Sequence, residues 1–166
     1  MRTARYAVLV TFGAMALVAG VVSATAQPKD CSGRFWAEYY NDQNKRVFTR
    51  CEGQRVRANW GQSGPRRGGG DEGKADSVGS LIVGTDHFRV TWTGSFPFQA
   101  GVYTFVAKAD DGIRVSVDGT PVIDMRHAAS ENELRATRTM TAGQHVVKVE
   151  YVEDVGMASV DVRWMR

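Results

Sequence analysis

Hydrophobic and polar residues alternate with a period of two through most of the second half of this chain. Phe88, Val90 and Trp92 alternate with His87, Arg89 and Thr91. Tyr103, Phe105, Ala107 and Ala109 alternate with Thr104, Val106 and Lys108. Ile113, Val115 and Val117 alternate with Arg114, Ser116 and Asp118. The same pattern recurs at Val147, Val149 and Tyr151, and again at Ala158, Val160, Val162 and Trp164. In a strand, successive side chains point to opposite faces, so each run predicts a strand with one face buried. Gly94-Ser95 is expected to break the first run, and Ala100-Gly101, Asp118-Gly119, Ala142-Gly143 and Val155-Gly156 to turn the chain. Asp118-Gly119 is the strongest of these signals, because Gly accepts the positive φ that a two-residue hairpin turn requires. Strands and turns at this spacing predict an all-β fold, an antiparallel β-sandwich or barrel.

The first half is less regular. Phe35 to Tyr40 is a dense aromatic strand candidate, followed by the turn Asn41-Asp42-Gln43-Asn44. Val47 to Arg50 and Val56 to Trp60 suit short strands. Gly61 to Gly79 holds seven glycines in 19 residues and almost nothing apolar, which predicts a long, mobile surface loop. Further on, Ser130-Glu131-Asn132-Glu133 has the spacing of a helix capping box. It lacks an amphipathic stripe, so a loop or single turn leading into a strand near Arg138 to Thr141 is expected.

Residues 1–26 read as an export signal: Arg2 and Arg5, an apolar run from Ala7 to Val22, and the small-x-small site Ala24-Thr25-Ala26; a retained membrane anchor is the rival reading, for which the run is rather short. A tether over 27–33 and one domain over 34–166 would remain. Cleavage removes two of the 21 basic residues and none of the 18 acidic ones, leaving a charge near +1. So small an excess gives no ground for expecting nucleic acid as a partner. No stable membrane insertion is expected after cleavage, and the predicted location is secreted, periplasmic or at the cell surface. In an exported chain the two cysteines, Cys31 and Cys51, are expected to pair. Closing that loop stabilises the fold by about 3 kcal/mol on a chain-entropy basis.

The chemistry concentrates in carboxylates. Asp110 and Asp111 end one predicted strand, and Glu153 and Asp154 lie in the turn between the last two. Adjacent carboxylates repel unless a cation or donor network sits between them. If both loops share one end of the fold, four oxygen donors converge, and hard oxygens from loops are what Ca²⁺ prefers. The plainer reading is turn chemistry, since an Asp side chain caps nearby backbone N–H groups. A third is a general acid and base pair of a small glycoside hydrolase, which requires a cleft and one raised pKa. Trp60, beside the glycine-rich loop, is the tryptophan expected to be exposed for stacking on a sugar, while Trp92 and Trp164 fall on inward phases. Gly68 to Lys74 resembles a phosphate loop only superficially. Ala75 stands where its hydroxyl would be, and Asp71 and Glu72 repel phosphate. His87, His127 and His145 are not at metal-ligand spacing.

In order along the chain, several segments resemble the PA14 domain family. Trp36-Ala37-Glu38-Tyr39-Tyr40-Asn41 is similar to its opening motif, and Asp86 to Gly94 to its F-S-V-R-W-T-G strand. Gly101-Val102-Tyr103-Thr104-Phe105 matches G-x-Y-x-F. Asp110 to Gly119, with Val122-Ile123-Asp124, matches the family hallmark. Ala142-Gly143-Gln144-His145 and Val149-Glu150-Tyr151 match late elements. The resemblance implies a β-sandwich or barrel of PA14 type and, in many members, carbohydrate binding. In adhesin members an Asp-Asp pair joined by a cis peptide holds Ca²⁺ against sugar hydroxyls, and Asp110 and Asp111 match that pair. Where those members carry an asparagine after the last Tyr, this chain has Val152-Glu153-Asp154.

The combined expectation is a secreted, non-catalytic module. It would bind a glycan or polysaccharide through Asp110, Asp111 and Trp60, with Ca²⁺ held by Asp110, Asp111, Glu153 and Asp154. The alternative is a structural or protein-interaction module of the cell envelope, with an envelope protein as partner.

Overall fold

A computed structural model of the protein describes residues 31–67, 83–126 and 130–166. The proposed signal segment and most of the glycine-rich loop therefore lie outside the described residues. So does His127.

Ten strands form in chain order: β1 (Trp36–Tyr40), β2 (Arg46–Cys51), β3 (Val56–Gly61), β4 (Arg89–Phe98), β5 (Gly101–Asp110), β6 (Gly112–Val117), β7 (Thr120–Met125), β8 (Ser130–Met140), β9 (Gly143–Val152) and β10 (Ala158–Met165). Among the described residues there is no helix. The strands make two sheets, ordered β2-β1-β4-β9-β6-β7 and β3-β10-β5-β8. Every pairing is antiparallel. The fold is thus the sandwich of the two architectures expected.

The inward phases behave as the alternation predicts. Phe88, Val90, Trp92, Phe105, Val115, Val149, Tyr151 and Val162 are fully buried between the sheets. Asp118 and Gly119 both take positive φ, 50° and 77°, and close the β6–β7 hairpin. Cys31 and Cys51 form the expected disulfide. Beside it, the Glu52 carboxylate accepts from Arg50 Nε at 2.7 Å, from the buried Trp92 indole N–H at 2.7 Å, and from the Tyr39 hydroxyl. This network fastens the segment after β2 to the centre of the larger sheet.

Two local expectations are corrected. Gly94-Ser95 does not break its strand: β4 runs on to Phe98 and pairs with β9 throughout. A Cβ at Gly94 would lie 2.6 Å from the Phe96 ring and 3.1 Å from the Arg34 carbonyl, so glycine serves close packing there. Ser130 to Glu133 forms no helical turn either. Strand β8 starts at Ser130 and pairs along β5, which offers an open sheet edge that local capping propensity does not outweigh.

Chain order across the two sheets positions the acidic loops. The step from β5 to β6 crosses from the smaller sheet to the larger at Asp110-Asp111, and the step from β9 to β10 crosses back at Glu153-Asp154. Val152 pairs with Gly112, and Ser159 with Asp110. Both crossings therefore lie side by side at one end of the sandwich.

Candidate functional site

That end carries an open depression of about 710 Å³. Its wall is built from the β1–β2 turn (Asn41, Asp42, Asn44), the entry to β4 (His87, Phe88, Arg89), Asp111, Arg126, and the β9–β10 turn from Val152 to Val155. The antiparallel register explains the company, since Tyr40 pairs with Arg89 and Arg89 with Val152. Strand ends that neighbour each other bring their loops to one place.

Main-chain hydrogen bonds hold the loops together. The His87 N–H donates to the Asp154 carbonyl at 2.9 Å, and the Glu153 N–H to the Phe88 carbonyl at 2.9 Å. The Asp154 N–H donates to Asp111 Oδ2 at 2.7 Å. Asp86 Oδ1 accepts from the Gly156 N–H at 3.0 Å, and this bond lowers the Asp86 pKa. The Asp110-Asp111 peptide is cis, as in the adhesin members that the resemblance invoked.

The four predicted acidic residues take different positions. Asp111 and Asp154 line the depression, and the exposed Asp154 carboxylate lies 3.3 Å from His87 Nε2. Asp110 lies at the end of β5, where its carbonyl accepts the Tyr151 hydroxyl. Glu153 is 1% exposed. One carboxylate oxygen, Oε2, accepts from Tyr151, while Oε1 is buried without a hydrogen-bond partner. Burial pushes the Glu153 pKa up to about 7; the Tyr151 hydrogen bond opposes the rise, and the charges of Asp111, Asp110 and Asp86 add to it. The Tyr151 hydroxyl is itself raised, first by burial and then by its bond to Glu153. Among the described residues, no three His, Cys, Asp or Glu side chains are gathered closely enough to hold a metal ion by themselves.

Trp60 departs from expectation. It is half-buried, and its ring packs against Phe88, Trp92 and Tyr151 with centroids 5.5, 6.4 and 5.7 Å away. It does not line the depression. Strand β3 pairs with β10 in the smaller sheet, so this side chain turns toward the interior rather than following the loop after it.

Sequence reasoning missed Asn41, Asp42, Asn44, Arg89 and Arg126 as members of this end. The β1–β2 turn was legible as a turn. Its place beside the acidic loops follows only from β1 pairing with β4. Gly112 was also missed. A Cβ there would lie 2.5 Å from the Arg126 carbonyl, so the glycine after the acidic pair admits the chain leaving β7.

Comparison with known proteins accords with this geometry. The family model for the PA14 domain matches residues 32–166. The anti-sigma-I factor RsgI3 of Acetivibrio thermocellus is 30% identical over 133 residues, which is 76% of this chain but 18% of that protein's length. The structure of an anti-sigma factor domain-containing protein is similar at a TM-score of 0.63 and 28% identity, covering 80% of this chain and 42% of that one. The PA14 sugar-binding domain of an RTX adhesin is similar at a TM-score of 0.57 and 21% identity, covering 80% of this chain and 89% of that domain.

Proposed function

Since the chain belongs to the PA14 domain family, we propose that it is a non-catalytic carbohydrate-binding module, and that the depression at the acidic end is its glycan site. The observation that carries this reading is the joining of two sheet-crossing loops, through Asp111 and Asp154, along one wall of that depression. Its mixed lining suits a sugar: carboxylates, asparagines and arginines for hydroxyls, with the exposed Val152 and Val155 as apolar surface. The likeness to an adhesin domain described as sugar-binding supports the same class of ligand.

Calcium belongs to the proposal. The orphaned, buried Glu153 Oε1 next to the negative charge of Asp110 and Asp111 is a donor set of the kind a hard cation satisfies. Asp110, Asp111 and Glu153, which are not gathered closely enough for this in the structure, would have to draw together around the ion, with Asp154 at the rim. Main-chain carbonyls and sugar hydroxyls would complete its shell. The ion supplies a positive centre on which hydroxyl oxygens coordinate. This chain's residues do the rest: Asp154 positions Asp111, and Tyr151 orients Glu153.

The similarity to anti-sigma factors supports a second reading, in which the module serves a larger surface or extracellular assembly and its partner is an envelope protein. A glycan array, with calcium and with chelator, separates the two. Binding to at least one glycan, lost with chelator and in Asp111→Asn, is expected. An array blank under both conditions sinks the glycan reading. Binding indifferent to the chelator and to Asp111→Asn sinks the calcium mechanism.

A further inference from the structure

Beside the acidic depression, on the outer face of the six-stranded sheet, lies a second and smaller hollow of about 130 Å³. Arg89, Arg126 and Val152 line both, so the two are continuous. The hollow also takes in Arg114, Glu150 and the main chain at Gly112. Cross-strand pairing generates this gathering. Arg114 stands between Glu150 on β9 and Asp124 on β7, while Gly112 stands beside Val152 one row nearer the end. The absence of a side chain at Gly112 lets the Arg126 main chain pack against it at the edge of the hollow.

The charges around the hollow do not balance. Arg126 Nε donates to Asp124 Oδ1 at 2.9 Å, and Arg114 Nε lies 3.4 Å from Asp124 Oδ2. One carboxylate thus serves two guanidiniums. The other carboxylate, Glu150, is bonded by Lys148 Nζ at 2.8 Å. Arg89 stacks on Tyr40, with its guanidinium 4.6 Å from the ring centroid, and donates to Asn44. The Arg114 Nε is buried, and its contact with the shared Asp124 carboxylate falls short of a hydrogen bond. Three guanidiniums, held in place, thus border a hollow large enough for a carboxylate, and two of them share the single carboxylate of Asp124.

We propose that this hollow is an anion subsite that takes the carboxylate of a uronic acid. The neighbouring units of the same saccharide would lie in the acidic depression. The proposal rests on the glycan-binding reading above and adds the class of glycan. Guanidinium offers a planar fork that matches carboxylate geometry, and charge-assisted bonds of this kind are stronger than those to neutral hydroxyls. An acidic end alone would repel such a ligand. The arginines beside it reverse the local sign where the carboxylate would sit and fix the direction in which the chain of sugars lies.

The test is calorimetric titration of the full chain, in calcium buffer, with a uronate tetrasaccharide, its methyl ester, and a sulfated tetrasaccharide. The free acid is expected to bind about tenfold tighter than the ester, the size of one charge-assisted contact. In Arg114→Gln the acid-to-ester ratio falls to near one. Arg126→Gln lowers the same ratio. A ratio is read because loss of folded protein changes both affinities alike and cannot mimic the effect. Equal affinity for acid and ester, or a preference that survives both substitutions, overturns the subsite while leaving glycan binding intact. A sulfated ligand that binds as tightly as the uronate overturns the carboxylate assignment in favour of simple charge attraction. No binding of any saccharide overturns the subsite together with the glycan reading.

Discussion

The Asp154 main-chain N–H donates to Asp111 Oδ2 at 2.7 Å, across 43 positions of sequence. It makes one unit of two loops that leave opposite sheets. The Asp111 side chain is thereby part of the architecture as well as of the proposed site. Asp111→Asn keeps an oxygen able to accept this bond, whereas Asp111→Ala removes it. Thermal melting is therefore expected to fall more in the alanine variant, and glycan binding to fall in both. Equal melting temperatures for the two variants would contradict the bracing role.

Glu153 makes stability depend on pH. Its carboxyl is raised to about 7 in the fold, mainly by burial, against 4.5 in the unfolded chain. The folded state therefore binds the extra proton between those values. Stability is full below about pH 4.5 and is lost as pH rises through about 7, by at most about 3 kcal/mol without a cation. Glu153→Gln is expected to raise the melting temperature at pH 8 and to change it little at pH 4.5, in chelator. If Glu153 holds calcium as proposed, adding calcium chloride stabilises the wild type more at pH 8 than at pH 5 and the Gln variant little at either. Melting curves in a pH series with and without calcium check both statements.

His145 and Asp118 contribute a second pH dependence, far from the acidic end. His145 Nδ1 lies 2.6 Å from Asp118 Oδ2, and Asp118 Oδ1 accepts the Val146 N–H at 2.9 Å. The hydrogen bond to Asp118 raises the His145 pKa, and the histidine's bond helps lower that of Asp118 against its desolvation. The histidine contribution is complete below its unfolded value of 6.5 and is lost as pH rises through its higher folded value. The aspartate contribution is complete above 3.8 and is lost as pH falls through its lower folded value. The pair stabilises most between these limits. His145→Gln is expected to cost more at pH 5.5 than at pH 8.5. A cost independent of pH would contradict the ion pair.

Glu52 is expected to be among the most sensitive positions in the fold. Glu52→Ala strands the Trp92 indole N–H inside the sandwich, leaves the Tyr39 hydroxyl with only the Arg50 donor, and removes the partner of Arg50 Nε. Unsatisfied buried groups of this kind cost about 1–3 kcal/mol each. Urea unfolding should show a loss of about 3 kcal/mol or more, with Glu52→Gln recovering part of it.

Gly112→Ala tests the glycine of the acidic motif. The added Cβ would meet the Arg126 carbonyl at 2.5 Å, so the β7 end must move. Overpacking of this sort costs about 1–3 kcal/mol. Lower stability and weaker glycan binding are expected together, because the displaced Arg126 lines the depression. Unchanged unfolding in urea would show that the segment after β7 yields freely.

Much of the sandwich was legible because burial on one face of a strand writes itself as period-two alternation. Most inward residues of β5, β6, β9 and β10, and those of β4 before Gly94, are readable in this way, whereas the buried Phe96 and Phe98 are not. The mistakes share a cause. On local propensity alone Gly94-Ser95 resembles a break and Ser130 to Glu133 a cap, since neither stretch contains the neighbouring strand. Pairing with β9 and β5 supplies hydrogen bonds that local signals cannot anticipate. The loop after Trp60 suggests exposure, whereas its surroundings are decided by the strand it belongs to and by Phe88, Trp92 and Tyr151 packed against it.

By itself, then, the sequence determined the fold class, the Cys31–Cys51 bridge, the Asp118-Gly119 hairpin and the acidic character of two turns. Each is encoded within a few residues or by residue type alone. The tertiary structure decided that those two turns meet, that Glu153 is buried with an orphaned oxygen while Asp154 stands in solvent, and that Arg89, Arg114 and Arg126 collect beside them. These relationships depend on strand order and register across two sheets. Long-range pairing sets both, and no short stretch of chain contains them.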